Sequence, residues 1–244
     1  MKRLLLALVF LGGFASAVSA AELKVMTVGL VGGGFHKLAQ AWSRETGNTV
    51  KLVIPPSALD QVLAALKTKD ADAVLLPMDD MARQAGQFRP GTLHAIGRVT
   101  FGLGGKRNGP KPDIATEAAF KAALAGKTVL VNDPATSLNG RMARAMFDGP
   151  GFETVAVRGI YGAAAVLAKS DADYVVTVLP EELGVSTLTL LGDVPPALGL
   201  KIDFGGGVTA RAADPDLAAQ FLAYLRSAPA ASVWKAGGVT VPVP

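Results

Sequence analysis

The strongest constraint on this chain is its alternation of short apolar runs with helical stripes. Leu23 to Val28 is a short run rich in β-branched residues and reads as a first strand. Gly29 to Gly34 (GLVGGG) breaks it, and a helix then carries Phe35, Leu38, Ala39 and Trp42 at i, i+3, i+4 and i+7. Gly47-Asn48 ends that helix, Thr49 to Ile54 reads as a second strand, and Pro55-Pro56 stops it. Ser57 with Asp60 resembles a capping box, ahead of a stripe made by Leu59, Val62, Leu63 and Leu66. Asp72 to Leu76 reads as a buried third strand. A β-α-β-α-β opening demands parallel strands with helices on the sheet faces, because each crossover must return the chain to the same sheet end.

The second half repeats the theme. His94 to Gly104 reads as extended, and Thr116 caps a helix bearing Phe120, Ala123 and Leu124. Lys127 to Val131 is a strand, Asp133 to Asn139 a loop, and the next helix carries Met142, Ala145 and Met146 up to Gly149. Thr154 to Val157 (strand), Ala163 to Ala168 (helix) and Asp173 to Val178 (strand) complete a second α/β unit. Asp214-Pro215 is an N-cap and N1 pair for a helix with Leu217, Phe221, Leu222 and Leu225. A last helix starts at Pro229, runs through Trp234 and ends at Gly237-Gly238.

Residues 1–20 have the layout of a cleavable export signal. Lys2-Arg3 precede an apolar core from Leu4 to Phe14, and Val18 and Ala20 suit cleavage before Ala21. That core is shorter than the roughly 20 apolar residues a spanning helix needs. The chain therefore reads as exported, and no later stretch reads as a membrane span. Loss of Lys2 and Arg3 would reduce the net charge from +4 to +2, too weak and too dispersed for a nucleic-acid partner. There is no cysteine, hence no disulfide, thiolate or lipid attachment through sulfur. His36 and His94, the only two histidines, have no spaced carboxylate pattern, so neither a metal site nor a cofactor is expected.

The order of these pieces resembles the molybdate-binding-like branch of type II periplasmic solute-binding proteins. The resemblance spans the mature chain: ELKVMTVG, the Gly-rich turn, Trp42-Ser43-Arg44-Glu45-Thr46-Gly47, VKLVIPPSALDQVLAAL, DADAVLLP and the closing FLAYLRSAPAASVWKAGGV. Within that branch, Lys111-Pro112-Asp113-Ile114, Asp133-Pro134 and Gly140 are similar to a group that includes periplasmic aconitate isomerase. Where that group carries Ser-Glu after a second-lobe strand, this chain reads Pro180-Glu181, and its first loop has no serine. The resemblance implies a two-lobed α/β fold of mostly parallel sheets flanked by helices. It places residues 22–100 and 200–244 in one lobe, 101–199 in the other, and a hinge at 94–104 and 198–208. It also implies a periplasmic monomer that captures a small anion and hands it to an ABC permease with its ATPase.

In such folds ligands meet the C-terminal ends of strands, where helix N-termini offer free N–H groups. Three loops then become candidates. Val31, Gly32 and Gly33 would bring bare backbone to a ligand, or form only a tight turn. Ser57 would cap its helix or donate to a ligand. Thr136, Ser137, Asn139, Gly140 and Arg141 surround another helix start. Arg141 in a first helical turn opposes the macrodipole, which suits either a bridging carboxylate or a surface pair with an acidic neighbour. Tyr161 precedes a further helix expected to face the cleft. Three functions remain open: anion capture, an aconitate isomerase-like reaction on the same scaffold, and a sensor or scaffold that keeps the fold without transport. The second would need a base, for which Glu181, His36 and Tyr161 are the candidates.

Overall fold

A computed structural model describes residues 20–55, 58–148, 151–158 and 162–241. The expected signal segment (save Ala20), Ser57 and Tyr161 lie outside the described residues. In chain order the elements are β1 (Glu22–Thr27), α1 (Gly32–Thr46), β2 (Thr49–Leu52), α2 (Leu59–Thr68), β3 (Ala73–Pro77), α3 (Met78–Arg83) and β4 (His94–Lys106). There follow α4 (Glu117–Leu124), β5 (Thr128–Asn132), α5 (Leu138–Met146), β6 (Glu153–Val157), α6 (Gly162–Leu167), β7 (Tyr174–Val178) and α7 (Leu179–Leu183). The chain closes with β8 (Leu188–Asp193), β9 (Lys201–Val208), α8 (Pro215–Leu225), α9 (Ala228–Ala236) and β10 (Val239–Thr240).

The fold is the two-lobed α/β architecture, and one strand joins its lobes. The lower half of β4, residues 94–100, pairs antiparallel with β9. Its upper half pairs with β7 through residues 101–105 and with β8 through residues 102–106. The first sheet runs β2-β1-β3-β9-β4 and the second β4-β7-β5-β6. Each has the parallel core that the β-α-β rhythm requires: β1 with β2 and β3, and β5 with β6 and β7. Each is nevertheless mixed, because β9 pairs antiparallel with β3 and β4, and β4 pairs antiparallel with β7 and β8. Leu188 to Asp193 was not foreseen as a strand, since its half-exposed edge position gives it no clean alternation.

The helical stripes do what their spacing dictates. Phe35, Leu38, Ala39 and Trp42 of α1 are buried, as are Leu217, Phe221, Leu222 and Leu225 of α8. Phe221 meets Phe35 and Trp42 edge-on, with centroids 6.1 and 5.1 Å apart. Thr116 and Asp214 cap their helices as expected, accepting from the N–H groups of Ala119 at 3.1 Å and Leu217 at 2.9 Å. Two local expectations are corrected. The helix after the proline pair starts at Leu59 with Ala58 as its N-cap and no side-chain cap. In α5 the buried face is Asn139, Gly140 and Ala143, continued by Phe147 just beyond the helix. Met142, Ala145 and Met146 line a shallow groove with Leu198 and Leu200 instead. Gly140, on the buried face, lies directly against the Asn132 carbonyl, and Met142 and Met146 are partly buried against the core.

Three glycines in β9, Gly205 to Gly207, would weaken an ordinary strand. Here they are needed for close approach. A Cβ on Gly205 would run into the Met78 sulfur and the His94 carbonyl, at the point where β9 pairs with the lower half of β4. Gly205→Ala is therefore expected to cost about 1–3 kcal/mol. Urea denaturation measures it, and a neutral result would show that β4 and β9 yield freely there.

Candidate functional site

A cavity of about 280 Å³ opens between the two sheets, at the C-terminal ends of β1, β3, β5 and β6. From the first sheet it is lined by Val28, Gly29, Leu30, Ala58, Leu59, Gln61 and Pro77. The second contributes Asn132, Asp133, Thr136, Ser137, Leu138, Asn139, Val157, Arg158 and Glu181. The helices α2 and α5 both begin at its wall. In α2 the N-cap is an alanine, which has no side-chain acceptor for the first N–H groups. In α5 the Ser137 hydroxyl accepts from Gly140 N–H at 3.1 Å, leaving the Leu138 and Asn139 N–H groups without an acceptor among the described residues. Two helix N-termini facing one cavity create a positive potential without formal charge.

The floor is a buried polar network centred on Glu181, which is 5% exposed. Its Oε2 accepts from the Thr177 hydroxyl at 2.6 Å and from Asn132 Nδ2 at 2.7 Å. Its Oε1 accepts from Asn139 Nδ2 at 3.2 Å. The amide orientations are fixed from behind. Asn132 Oδ1 accepts from the Ala163 N–H at 3.1 Å, and Asn139 Oδ1 accepts from the Ser137 hydroxyl. Both amides must therefore point donors at the carboxylate. Burial raises the Glu181 carboxyl above its ordinary value, and the three donors offset only part of that rise.

The cation at this cavity is Arg158, directly after β6. Its Nε donates to the Asp133 carboxylate at 2.9 Å. Asp133 also accepts from the Ala135 N–H at 2.9 Å, and these two bonds, the backbone one foremost, hold its carboxyl below the usual range. Arg158 is largely exposed, and it lines the cavity beside Asp133.

The structure brings part of the predicted set together. Thr136, Ser137 and Asn139 line the cavity, and so does Glu181. Val31 is wholly buried, and Gly32 and Gly33 begin α1 away from the lining, because Gly29 to Val31 forms a turn of 3₁₀ helix leading straight into it. Val28, Gly29 and Leu30 occupy the cavity wall instead. Gly140 packs against backbone rather than against the cavity. Arg141 is exposed and donates to the Pro134 carbonyl at 3.3 Å, so its charge answers a loop carbonyl. His36 sits on the outer surface of α1, 2.9 Å from Gln40, beside a separate shallow groove.

Sequence reasoning missed Asn132, Thr177 and Arg158. Each had a signal: a polar residue at the end of a β-branched run, a threonine inside YVVTV, and a cation at the C-terminal end of a strand.

Behind Glu181 lies a second acid, Glu182, 3% exposed, with neither carboxylate oxygen hydrogen-bonded among the described residues. It rests against the backbone of β4, where Cβ atoms on Gly102 or Gly104 would crowd it. Burial raises its carboxyl well above the ordinary range, Glu181 and Asp193 push the same way, and a backbone contact at Thr177 opposes them. A carboxyl raised on folding adds stability in full below its unfolded value and loses it as pH climbs through the raised one. Glu182→Gln is thus expected to melt several degrees above the unsubstituted protein at neutral pH. The gap should close toward about pH 4. A melting-temperature series across pH checks it, and an equal gap at every pH would contradict the assignment.

Two lobes joined by a shared strand, with an inter-lobe cavity fed by helix N-termini, define a solute-binding protein of the type II class. The chain belongs to the bacterial extracellular solute-binding protein family, whose pattern matches residues 23–240. Among curated proteins it is similar to an aconitate isomerase from Pseudomonas sp., 24% identical over 94% of this chain and 91% of that one. Among solved structures, the Azotobacter vinelandii periplasmic molybdate-binding protein is similar with a TM-score of 0.72 at 17% identity, covering 91% of this chain and all of the other. The sulfate-binding protein SubI of Mycobacterium tuberculosis is similar with a TM-score of 0.69 at 18% identity, covering 92% and 88%.

Proposed function

We propose that this protein captures a small carboxylate anion in the periplasm, between its lobes, and delivers it to an ABC-type permease. The observation that carries the reading is the pair of helix N-termini, α2 and α5, that open onto one cavity from opposite sheets. An anion seated there touches both lobes, so it favours the closed form over the open one by its contacts with each. The molybdate- and sulfate-binding relatives share the fold, which supports the anion as a class. Arg158 favours a carboxylate, since a guanidinium matches its two oxygens and must leave only Asp133 to do so. Export through the N-terminal signal and action as a monomer complete the reading.

A thermal-melt screen of the mature protein against molybdate, tungstate, sulfate, phosphate, cis- and trans-aconitate and citrate tests it. A ligand at a thousand times its dissociation constant adds about 4 kcal/mol. Stabilisation by carboxylates is expected, and stabilisation by molybdate or tungstate alone would overturn the choice of carboxylate. Arg158→Ala is expected to weaken carboxylate binding about 10- to 100-fold, as loss of a charged hydrogen bond does. Arg141→Ala should leave affinity unchanged in the same titration, and the reverse pattern would restore Arg141 as the anion's partner.

A second reading is an isomerase acting on a small unsaturated tricarboxylate. Glu181 favours it, as a buried carboxylate on the cavity floor is suited to take a proton from one carbon and return it to another. The aconitate isomerase relative supports it too. NMR of trans-aconitate with the purified protein decides: conversion that Glu181→Gln abolishes would establish the enzyme, and unchanged substrate would dismiss it.

A further inference from the structure

The charge around the cavity is not what a simple oxyanion site requires. Its described lining holds two carboxylates, Asp133 and Glu181, against one guanidinium, Arg158, already paired with Asp133. The helix N-termini make one part of the wall attractive to an anion. The floor is different: Glu181 is a fixed acceptor, with both amide neighbours locked as donors toward it. A carboxylate oxygen has room for about two hydrogen bonds. Oε2 takes two, from Thr177 and Asn132, whereas Oε1 takes only one among the described residues, from Asn139. Glu181 and Asn139 both line the cavity. Glu182, whose carboxyl burial holds well above the ordinary range, and Asp193 lie on the far side, and no described cation faces Glu181 from its own element.

We infer that the ligand is a hydroxycarboxylate: its hydroxyl donates to Glu181 Oε1 while a carboxylate group rests on the N–H groups at the start of α5. The inference rests on the anion-capture reading and narrows it. A fully deprotonated oxyanion has only acceptors, so it would meet Glu181 with no hydrogen to offer. Oε1 already accepts from Asn139, and a hydroxyl supplies its second donor, a bond that analogues without the hydroxyl cannot make.

Citrate and tricarballylate differ only in that hydroxyl, as do malate and succinate. Calorimetric titration of the full mature protein with all four at neutral pH is the test. At least one pair should show the hydroxylated member binding about tenfold tighter or more. In Glu181→Gln, the two donors at the Oε2 position force the amide oxygen there and place the amide nitrogen where Oε1 stood. That nitrogen cannot accept from a hydroxyl, so the ratio should collapse toward one, chiefly through tighter binding of the deoxy member. Arg158→Gln should weaken both members alike and keep the ratio. Equal affinities within both pairs would overturn the inference and leave the anion-capture reading standing. A parallel loss for both members in Glu181→Gln would also overturn it, marking Glu181 as a support for the fold. If the unsubstituted protein binds none of the four, the inference falls, and the aconitates and oxyanions of the melt screen decide the anion-capture reading.

Discussion

The long strand β4 is the constraint on which the rest depends. Thirteen residues of one strand belong to two sheets, so neither lobe is complete without it. Its upper half has neighbours on both sides, β7 and β8, and it is glycine-rich because those neighbours and α7 come close. Cβ atoms at Gly102, Gly104 and Gly105 would meet Leu179, Val175 and Leu191 at 2.7, 2.7 and 2.8 Å. With β4 fixed, the parallel strands β1, β3, β5 and β6 all end on one side, and the helices that follow them start around a common space. The cavity is a consequence of topology before any side chain is chosen.

Side chains then divide that space by electrostatics. The α5 start and Arg158 offer hydrogen-bond donors and positive potential, whereas the floor offers an acceptor. What holds the floor in place is a relay with a single sense: the Ser137 hydroxyl to Asn139, and the Asn139 and Asn132 amides with Thr177 to Glu181. The network ties β5, α5, β7 and α7 together through polar groups that are individually costly to bury and acceptable only because each has a partner. Glu182 is the exception, unpartnered among the described residues and pressed against the β4 glycines. It sits one residue from the site, next to Glu181 in α7.

Much of the fold was legible in the sequence because it is written in periodicity. The α1 and α8 stripes, the Thr116 and Asp214 caps and the β-α-β-α-β opening are local signals that tertiary packing had no reason to override. The site was legible as places rather than as contacts. The loop before α5 was found, and three of its five named residues line the cavity. Arg141, in the first turn of α5, read as the anion's cation, yet it donates to the Pro134 carbonyl, and it is Arg158, at the end of β6, that lines the cavity. The first loop shows the other limit. Its glycines suggested bare backbone against a ligand, yet Gly34 makes room for the ring of Trp234, a residue 200 positions away. Long-range close approach leaves no local mark beyond the glycine itself.

A crystal structure of the protein soaked in citrate tests the central claim most directly. The expected result is a carboxylate on the Leu138 and Asn139 N–H groups, Arg158 released from Asp133 to a second carboxylate, and the hydroxyl about 2.7 Å from Glu181 Oε1. Citrate seated elsewhere, or seated between the lobes with Glu181 untouched and Arg158 still on Asp133, would contradict it.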